Sequence, residues 1–288
     1  MSTVREALRK AGQILKDSGA VTPALDAGVL LGHVTGRSHA GLYRDWESEL
    51  TPEAEARFFM LIARREAGEP VAYLTGCKEF MGLDFTVNNT VLIPRPETEL
   101  LVETAIHLAG NDDIIVDVGT GCGAIAVSLA VFLPHVVIYA TDLSPDAIET
   151  ARHNAVLHGV GQRVSFLQGD LLVPLAGLEL AGRVDLVTAN LPYIATSELG
   201  ALSREVQLEP VAALDGGADG LDLYRRLIPA AAELLKPGGR LMMEIGSSQR
   251  EAIAALLSPS LWETVFLQDL AGLDRLAVAR LSTVVSSQ

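Results

Sequence analysis

Apolar positions follow a helical period in the first quarter of the chain. Those near the start fall on one helix face: Val4, Ala7, Leu8, Ala11, Ile14 and Leu15. Thr3 and Glu6 form a capping-box pattern that begins this helix. Thr22-Pro23 and Thr51-Pro52 each combine an N-cap residue with proline at the first helical position, and they open segments that run to about Gly36 and Gly68. Residues 1–75 are therefore predicted to form a small helical bundle domain.

The pattern changes to short strand-like pieces between Val71 and Ile93, broken by Gly82 and by Asn88-Asn89. We predict a hairpin connector over residues 76–96. Its last residues, Pro94-Arg95-Pro96, stiffen the chain before an apolar helix that ends at Leu108.

Strand and helix signals then alternate to the end of the chain. The predicted strands are Ile114–Val118, Val136–Ala140, Val164–Leu167, Val184–Ala189, Arg240–Ile245, Glu263–Gln268 and Arg275–Leu281. Helices are predicted from Ala124 and Pro145 and near Leu221–Leu235 and Gln249–Leu257. Continuous apolar strands that alternate with helices indicate an α/β fold, with a mostly parallel sheet covered on both faces.

Composition narrows the function classes. The chain has 288 residues and a formal net charge of −14, which disfavours extended nucleic-acid binding because the chain would repel a phosphate backbone. Its start, MSTVREALRK, has no apolar signal-peptide core, and no apolar run is long enough to span a bilayer, so we expect a cytoplasmic protein with no membrane partner. Cys77 and Cys122 stand far apart, so no metal site is predicted.

The sharpest local motif is Asp117-Val-Gly119-Thr120-Gly121-Cys122-Gly123, which follows an apolar strand and opens a helix. Glycines at such a turn let a ligand approach the backbone amides. The loop reads GxGxG, with Ala124 where a dinucleotide fingerprint needs a third glycine, and it has an acid two residues upstream. We interpret it as a site for S-adenosylmethionine, and a tight turn without a ligand is the alternative.

Two further acids follow the next strands. Asp142 can accept hydrogen bonds from ribose hydroxyl groups, although a helix cap before Ser144-Pro145 explains it equally well. Asp170, in Gln168-Gly169-Asp170, sits where an adenine amino group can be accepted, and a plain turn is the alternative.

The motif Asn190-Leu191-Pro192-Tyr193 follows the strand Val184–Ala189. A nitrogen conjugated to a carbonyl group or a ring has a delocalised lone pair, so a site that methylates it must orient it. The Asn190 side-chain oxygen and the Leu191 carbonyl can accept its two N–H hydrogens, and the Tyr193 ring can pack over the planar group. Pro192 holds Leu191 extended, which suits an outward carbonyl, and a strand-ending turn is the alternative.

These motifs resemble class I methyltransferases with an Asn-Pro-Pro-Tyr type site. Further segments resemble the peptide chain release factor glutamine methyltransferases over nearly the full chain: Tyr73-Leu-Thr-Gly76, Glu79-Phe80, Gly82, Val91-Leu-Ile-Pro-Arg-Pro-Glu-Thr-Glu99, Glu209-Pro210, Asp219-Gly220, Glu244-Ile245-Gly246 and Asp269-Leu-Ala-Gly-Leu-Asp-Arg275.

The resemblance implies a Rossmann-like methyltransferase domain over residues 97–288, with an antiparallel C-terminal strand, preceded by a substrate-recognition domain. Carried over by position, Gly119–Gly123 and Asp142 would hold S-adenosylmethionine, and Asn190–Tyr193 would hold the glutamine of the Gly-Gly-Gln loop in class 1 release factors. Leu171 replaces a position that is often aromatic, and Leu191 replaces the usual proline.

Three alternatives stay open at this point. One is methylation of a ribosomal-protein glutamine. The second is adenine methylation, because Asn-Leu-Pro-Tyr also resembles the motif of ribosomal RNA adenine dimethyltransferases. The third is a cofactor-binding scaffold without catalysis, which an intact Asn190 and Tyr193 disfavour.

Overall fold

The computed structural model describes residues 2–283, which divide into two compact units. The helical unit comprises the chain up to Cys77 together with Leu202–Leu208. The sheet unit comprises Lys78–Ala201 together with the chain from Glu209 onward.

The helical unit contains α1 (Val4–Asp17), α2 (Pro23–Thr35), α3 (His39–Arg44), α4 (Pro52–Glu66) and α5 (Val71–Thr75). The predicted capping box is confirmed: Thr3 Oγ1 accepts from the Glu6 amide at 3.2 Å, and the Glu6 carboxylate accepts from the Thr3 amide at 2.9 Å. Apolar side chains from α1, α2 and α4, among them Leu15, Leu30 and Phe58, form its fully buried core.

Thr22 occupies the predicted N-cap position of α2, with Pro23 in the first turn, although its hydroxyl donates to Asp26 Oδ1 at 2.7 Å and accepts no hydrogen bond from a helix amide. One local prediction in this unit was wrong. Val71–Thr75 forms α5 and not a strand-like piece. Leu74 of α5 is buried in the same core as Leu15 and Phe58, so packing against the other helices stabilises the helical conformation there.

An ion pair attaches the segment Leu202–Leu208 to the helical unit. Arg65 is 5% exposed, its Nε donates to Asp26 Oδ2 at 2.7 Å, and its Nη2 pairs with Glu205. A buried guanidinium group needs such partners, because an unpaired buried charge is strongly destabilising.

The sheet unit contains the hairpin β1 (Cys77–Phe80) and β2 (Leu83–Thr86), followed by α6 (Glu99–Leu108), β3 (Ile114–Val118), α7 (Ala124–Phe132), β4 (Val137–Asp142), α8 (Pro145–Leu157), β5 (Val164–Gln168), β6 (Val184–Ala189), α9 (Asp222–Leu234), β7 (Leu235–Glu244), α10 (Arg250–Leu256), β8 (Trp262–Gln268) and β9 (Asp274–Leu281). The predicted hairpin is present, whereas Val91 and Ile93 lie outside any strand.

The main sheet has the strand order β5-β4-β3-β6-β7-β9-β8. The pairs from β5 through β7 are parallel, and β9 runs antiparallel to β7 and β8, which confirms the predicted mostly parallel sheet with an antiparallel C-terminal strand. The chain reverses its direction of strand addition at β3, and β6 then pairs on the other side of β3. Ligands in open α/β sheets bind at such a switch point, outside the carboxyl ends of the strands.

Within residues 2–283 we find no helix with both the length and the apolar character that a membrane crossing needs. Over the same residues, no three His, Cys, Asp or Glu side chains are grouped so as to hold a metal ion.

Candidate active site

A cavity of about 300 Å³ lies at the switch point. Val118 of β3 pairs in register with Ala189 of β6, so the glycine loop and the Asn190 motif leave the sheet side by side. Gly119, Gly121, Asp142 and Asn190 all line this cavity. Residues that are distant in sequence therefore meet at the edge of the sheet where a ligand is expected.

The glycine loop closes against the neighbouring strand. The amides of Gly119 and Thr120 both donate to the Thr141 carbonyl, each at 2.9 Å. Gly119 has φ +72°, and a Cβ placed on it would lie 2.8 Å from Leu191 Cδ2. Gly121 has φ +57°, and nothing lies within 4 Å of the point where its Cβ would be. The loop thus packs tightly on one side and leaves an open cradle at Gly121.

Asp142 holds the loop from the end of β4. Its Oδ2 accepts from the Gly121 amide at 2.8 Å, and its Oδ1 accepts from the Ser144 amide at 2.9 Å. Burial raises the pKa of this carboxyl, and the amide hydrogen bonds oppose that rise. Each carboxylate oxygen has a second acceptor site, so Asp142 can still accept hydroxyl hydrogens from a ligand.

Asp117 lies behind the loop. It is fully buried and accepts from Thr188 Oγ1 at 2.9 Å, and burial raises the pKa of its carboxyl to about 6. Of the other predicted cofactor residues, Cys122 is also buried, and burial raises the pKa of its thiol to about 12. Asp117, Thr120, Cys122 and Gly123 shape the loop, and the cavity wall itself is formed by Gly119 and Gly121.

Asp170 and Leu171 line the cavity beyond β5. The Asp170 carboxylate forms an ion pair with Arg226, so a ligand amino group would have to share it. Leu171 has φ +47°, a left-handed conformation that is uncommon for a side chain with a Cβ. The turn places Leu171 on the wall, where it offers apolar contact in place of an aromatic ring.

Asn190 connects the cavity to the protein interior. Its Nδ2 donates to Thr98 Oγ1 at 3.1 Å, and Thr98 Oγ1 donates to Glu244 Oε2 at 2.6 Å. Thr98 and Glu244 are buried, and burial raises the pKa of the Glu244 carboxyl to about 7. Sequence reasoning missed both roles. Each residue lies in a segment quoted for the resemblance, but nothing local marks it as a partner of Asn190.

Glu209 is a third residue whose role sequence reasoning missed. It is 4% exposed, accepts from the Ile93 amide at 3.1 Å, and forms an ion pair with Arg95. These contacts hold Ile93 and Arg95 in place, and the preceding residues Val91 and Leu92 line the cavity.

The rest of the Asn190 motif divides between two cavities. Leu191 is 3% exposed and, with Pro192, lines the same cavity as the glycine loop. Tyr193 lines a neighbouring polar cavity together with Gln249 and Arg275. Its carbonyl accepts from Gln249 Nε2 at 2.9 Å, and burial raises the pKa of its hydroxyl.

S-adenosylmethionine fits this donor set. The open cradle at Gly121 leaves room for a ligand against backbone, and the Asp142 carboxylate can accept ribose hydroxyl hydrogens. Apolar residues such as Leu171 and Pro210 line the cavity and suit a nucleobase. The fold and the site therefore define a class I S-adenosylmethionine-dependent methyltransferase.

Comparison with known proteins supports the assignment to the methyltransferases. The family model described as "PrmC N-terminal domain" matches residues 6–76, and the one described as "Methyltransferase domain" matches residues 110–266. The release factor glutamine methyltransferase of Moorella thermoacetica is 47% identical over 281 residues, covering 96% of this chain and 98% of the relative. That of Geobacter sulfurreducens is 42% identical and covers 97% of each chain. The chain belongs to the release factor glutamine methyltransferase family.

Solved structures share the fold at low identity. The catalytic domain of hMettl16, in complex with MAT2A 3'UTR hairpin 6, aligns with a TM-score of 0.59 at 17% identity, covering 77% of this chain and 85% of that one. A methyltransferase from Pyrococcus furiosus aligns with a TM-score of 0.52 at 17% identity, covering 77% of this chain and 98% of that one.

Proposed function

We propose that this enzyme methylates the side-chain amide nitrogen of the glutamine in the Gly-Gly-Gln motif of class 1 peptide chain release factors. The observation that carries the proposal is that Asn190 and Leu191 line the same cavity as Gly121 and Asp142. A motif suited to a planar NH₂ group thus faces the cofactor position, in a chain whose relatives are named for this substrate.

The chemistry follows from the nucleophile. Bound S-adenosylmethionine supplies an electrophilic methyl group on its sulfonium. The glutamine amide nitrogen is a weak nucleophile, because its lone pair is delocalised into the carbonyl group. Asn190 Oδ1 and the Leu191 carbonyl accept its two N–H hydrogens and turn the lone pair toward the methyl group. The nitrogen would take the methyl group, the cofactor would be left as its neutral thioether, and one of the two N–H protons would pass to solvent water.

Gly119–Gly123 and Asp142 bind the cofactor in this proposal, and Tyr193 packs against the glutamine amide. Asp117 supports the loop from behind, because its carboxylate is buried under it. Asp170 and Leu171 border the adenine position, and Leu171 contributes apolar contact there.

The decisive experiment is mass spectrometry of purified class 1 release factors after incubation with this enzyme and isotopically labelled S-adenosylmethionine. We expect one methyl group on the glutamine of the Gly-Gly-Gln motif. A release factor with that glutamine replaced by glutamate is the matched control, since it lacks the amide nitrogen. A labelled ribosomal-protein glutamine, or a labelled adenine in RNA or DNA, with the release factor unmodified, would establish the corresponding alternative.

Residues 1–75 are proposed to recognise the protein substrate. A glutamine side chain offers few atoms, so selection of one glutamine requires contacts remote from the reacting nitrogen. A chain that begins at Lys78, the first residue of the sheet unit, tests this. Normal cofactor affinity with lost transfer to the release factor is expected, and full transfer activity would contradict the proposal.

A further inference from the structure

A chain of hydrogen bonds runs from the cavity wall into the interior of the sheet unit. Asn190 Nδ2 donates to Thr98 Oγ1 at 3.1 Å, and Thr98 Oγ1 donates to Glu244 Oε2 at 2.6 Å. Thr98 is 3% exposed and Glu244 is 2% exposed, so water does not compete for these groups. Thr98 directly precedes α6, Asn190 directly follows β6, and Glu244 is the last residue of β7.

The number of hydrogens on the Thr98 hydroxyl and the Glu244 carboxylate fixes which group donates in each of these hydrogen bonds. A threonine hydroxyl has one hydrogen, and an ionised carboxylate can only accept. When Glu244 takes the Thr98 hydrogen, the Thr98 oxygen can only accept from Asn190. The Asn190 amide must then present its NH₂ group to Thr98 and its oxygen to the cavity.

We propose that Thr98 and Glu244 are positioning residues for methyl transfer: they hold the Asn190 amide with Oδ1 toward the glutamine nitrogen. The inference rests on the proposed function, because an oxygen facing the cavity serves a substrate that donates N–H hydrogens. Without the two residues, the amide can rotate by half a turn and present its own NH₂ group, which repels the substrate hydrogens.

The surroundings of Glu244 explain why a buried carboxylate is tolerated there. Its backbone carbonyl accepts from the Tyr224 hydroxyl at 2.6 Å, which fixes the end of β7. The charged or titratable groups that face its side chain are Arg95, Glu97, Arg275, Tyr193 and Tyr224. The two arginines favour the ionised form of Glu244, and Glu97 and burial oppose it.

Protonation of Glu244 would exchange donor and acceptor in both hydrogen bonds. A protonated Glu244 can donate to Thr98, and Thr98 can then donate to Asn190 Oδ1, which turns the NH₂ group toward the cavity. Burial raises the pKa of Glu244 to about 7, so the rate of transfer should rise as pH rises through neutrality. Glu244→Gln should lose this dependence. The buried Asp117, whose pKa is about 6, is unchanged in the variant, so any pH dependence that comes from Asp117 should remain.

The first test compares two variants of Thr98, the N-cap residue of α6, with a variant of Thr104 inside that helix. Thr98→Val removes the hydroxyl while keeping the shape, and we expect kcat to fall about ten- to hundredfold, as it does when other residues that orient a functional group are lost. Thr98→Ser should recover most of that loss. Thr104→Val is the matched control, because the Thr104 hydroxyl donates to the Leu100 carbonyl of its own helix at 2.7 Å and does not contact the cavity. Cofactor affinity should stay within about twofold throughout, which shows that the fold is intact.

A double-mutant cycle separates positioning from general structure. If Thr98 acts through Asn190, Thr98→Val should add nothing in an Asn190→Ala background. An equal loss in both backgrounds would overturn the proposal, as would a Thr98→Val enzyme with normal kcat. Wild-type enzyme inactive on the release factor would instead refute the proposed function.

A neutron structure gives a reading that is independent of turnover. It distinguishes N–D from oxygen, so it reports the amide orientation of Asn190 directly. We expect Oδ1 toward the cavity in the wild type and both orientations in Glu244→Gln. An Asn190 NH₂ group facing the cavity in the wild type would overturn the inference.

Discussion

The two sides of the cavity are built in different ways. On the cofactor side, Gly119–Gly123 and Asp142, backbone amides face a carboxylate, and the Asp142–Gly121 contact joins residues 21 positions apart. On the proposed acceptor side, which includes Asn190 and Leu191, the side chains of Asn190, Thr98 and Glu244 are hydrogen-bonded in series. The Asn190–Thr98 contact spans 92 positions and the Thr98–Glu244 contact spans 146. The proposed cofactor site thus depends on a local loop, whereas the proposed acceptor site depends on a network gathered from three distant parts of the chain.

Asn190→Ala should produce the largest effect and is the sharpest test of this division. Loss of an orienting acceptor should cut methyl transfer by about two orders of magnitude or more. Cofactor binding should stay nearly intact, because the loop and Asp142 are untouched. Single-turnover transfer and calorimetric cofactor affinity measure the two sides separately.

Asn111→Ala is a suitable control for this experiment, since Asn111 is an exposed asparagine of the same unit, in the turn before β3. Near-normal turnover in Asn190→Ala would remove the orienting role from the acceptor side. A parallel loss of cofactor affinity would mean that the two sides are not separate.

Asp142→Ala should give the converse result. Loss of hydrogen bonds to a charged acceptor should weaken cofactor binding by about 1.5–3 kcal/mol. Part of that loss comes from the Gly121 amide, which Asp142 holds in place. Transfer at saturating cofactor should be affected less than binding.

Calorimetry on the wild type, Asp142→Ala and Asp146→Ala checks this expectation. Asp146 is an exposed carboxylate in the first turn of α8, so its loss changes charge without touching the cavity. Unchanged affinity in Asp142→Ala would exclude Asp142 from the cofactor site.

The same contrast explains what the sequence could predict. The glycine loop, Asp142 and the strand–helix alternation are signals within short windows, so the sequence predicts the sheet and also the loop and acid that meet at its edge. Their binding of the cofactor stays a prediction. The partners of Asn190 could not be predicted, because Thr98 and Glu244 become neighbours only through sheet topology. Val71–Thr75 was mispredicted for a related reason, since packing against α2 and α4 decides its conformation.

Glu244→Gln tests the acceptor side through the pH dependence of the protein's stability. Burial raises the pKa of Glu244 from 4.5 to about 7, so between these values the folded protein holds a proton that the unfolded chain has released. Stability therefore falls as pH rises from about 4.5 to 7. The glutamine variant should show a shallower fall, and Asp117 and Asp142, whose carboxyl pKa values burial also raises, should account for the part that remains.

Thermal unfolding from pH 5 to pH 8 measures this difference. Glu263→Gln is the control, because Glu263 is an exposed carboxylate paired with Arg280. A Glu244→Gln profile parallel to that of the wild type would mean that Glu244 keeps an ordinary pKa in the folded protein.

Leu191→Pro should have the smallest effect on transfer. On the acceptor side, Leu191 is proposed to act through its backbone carbonyl, which proline retains, so transfer should stay within about threefold of the wild type. The side chain has a separate role, since it packs against Gly119 and is 3% exposed. A smaller side chain should therefore reduce stability by about 1–3 kcal/mol through lost packing. Leu191→Ala, with similar packing loss and an unrestricted backbone, separates the two contributions. If Leu191→Pro lost more than tenfold in transfer while Leu191→Ala did not, the leucine amide or its backbone freedom would be needed, and the carbonyl alone would not explain the position.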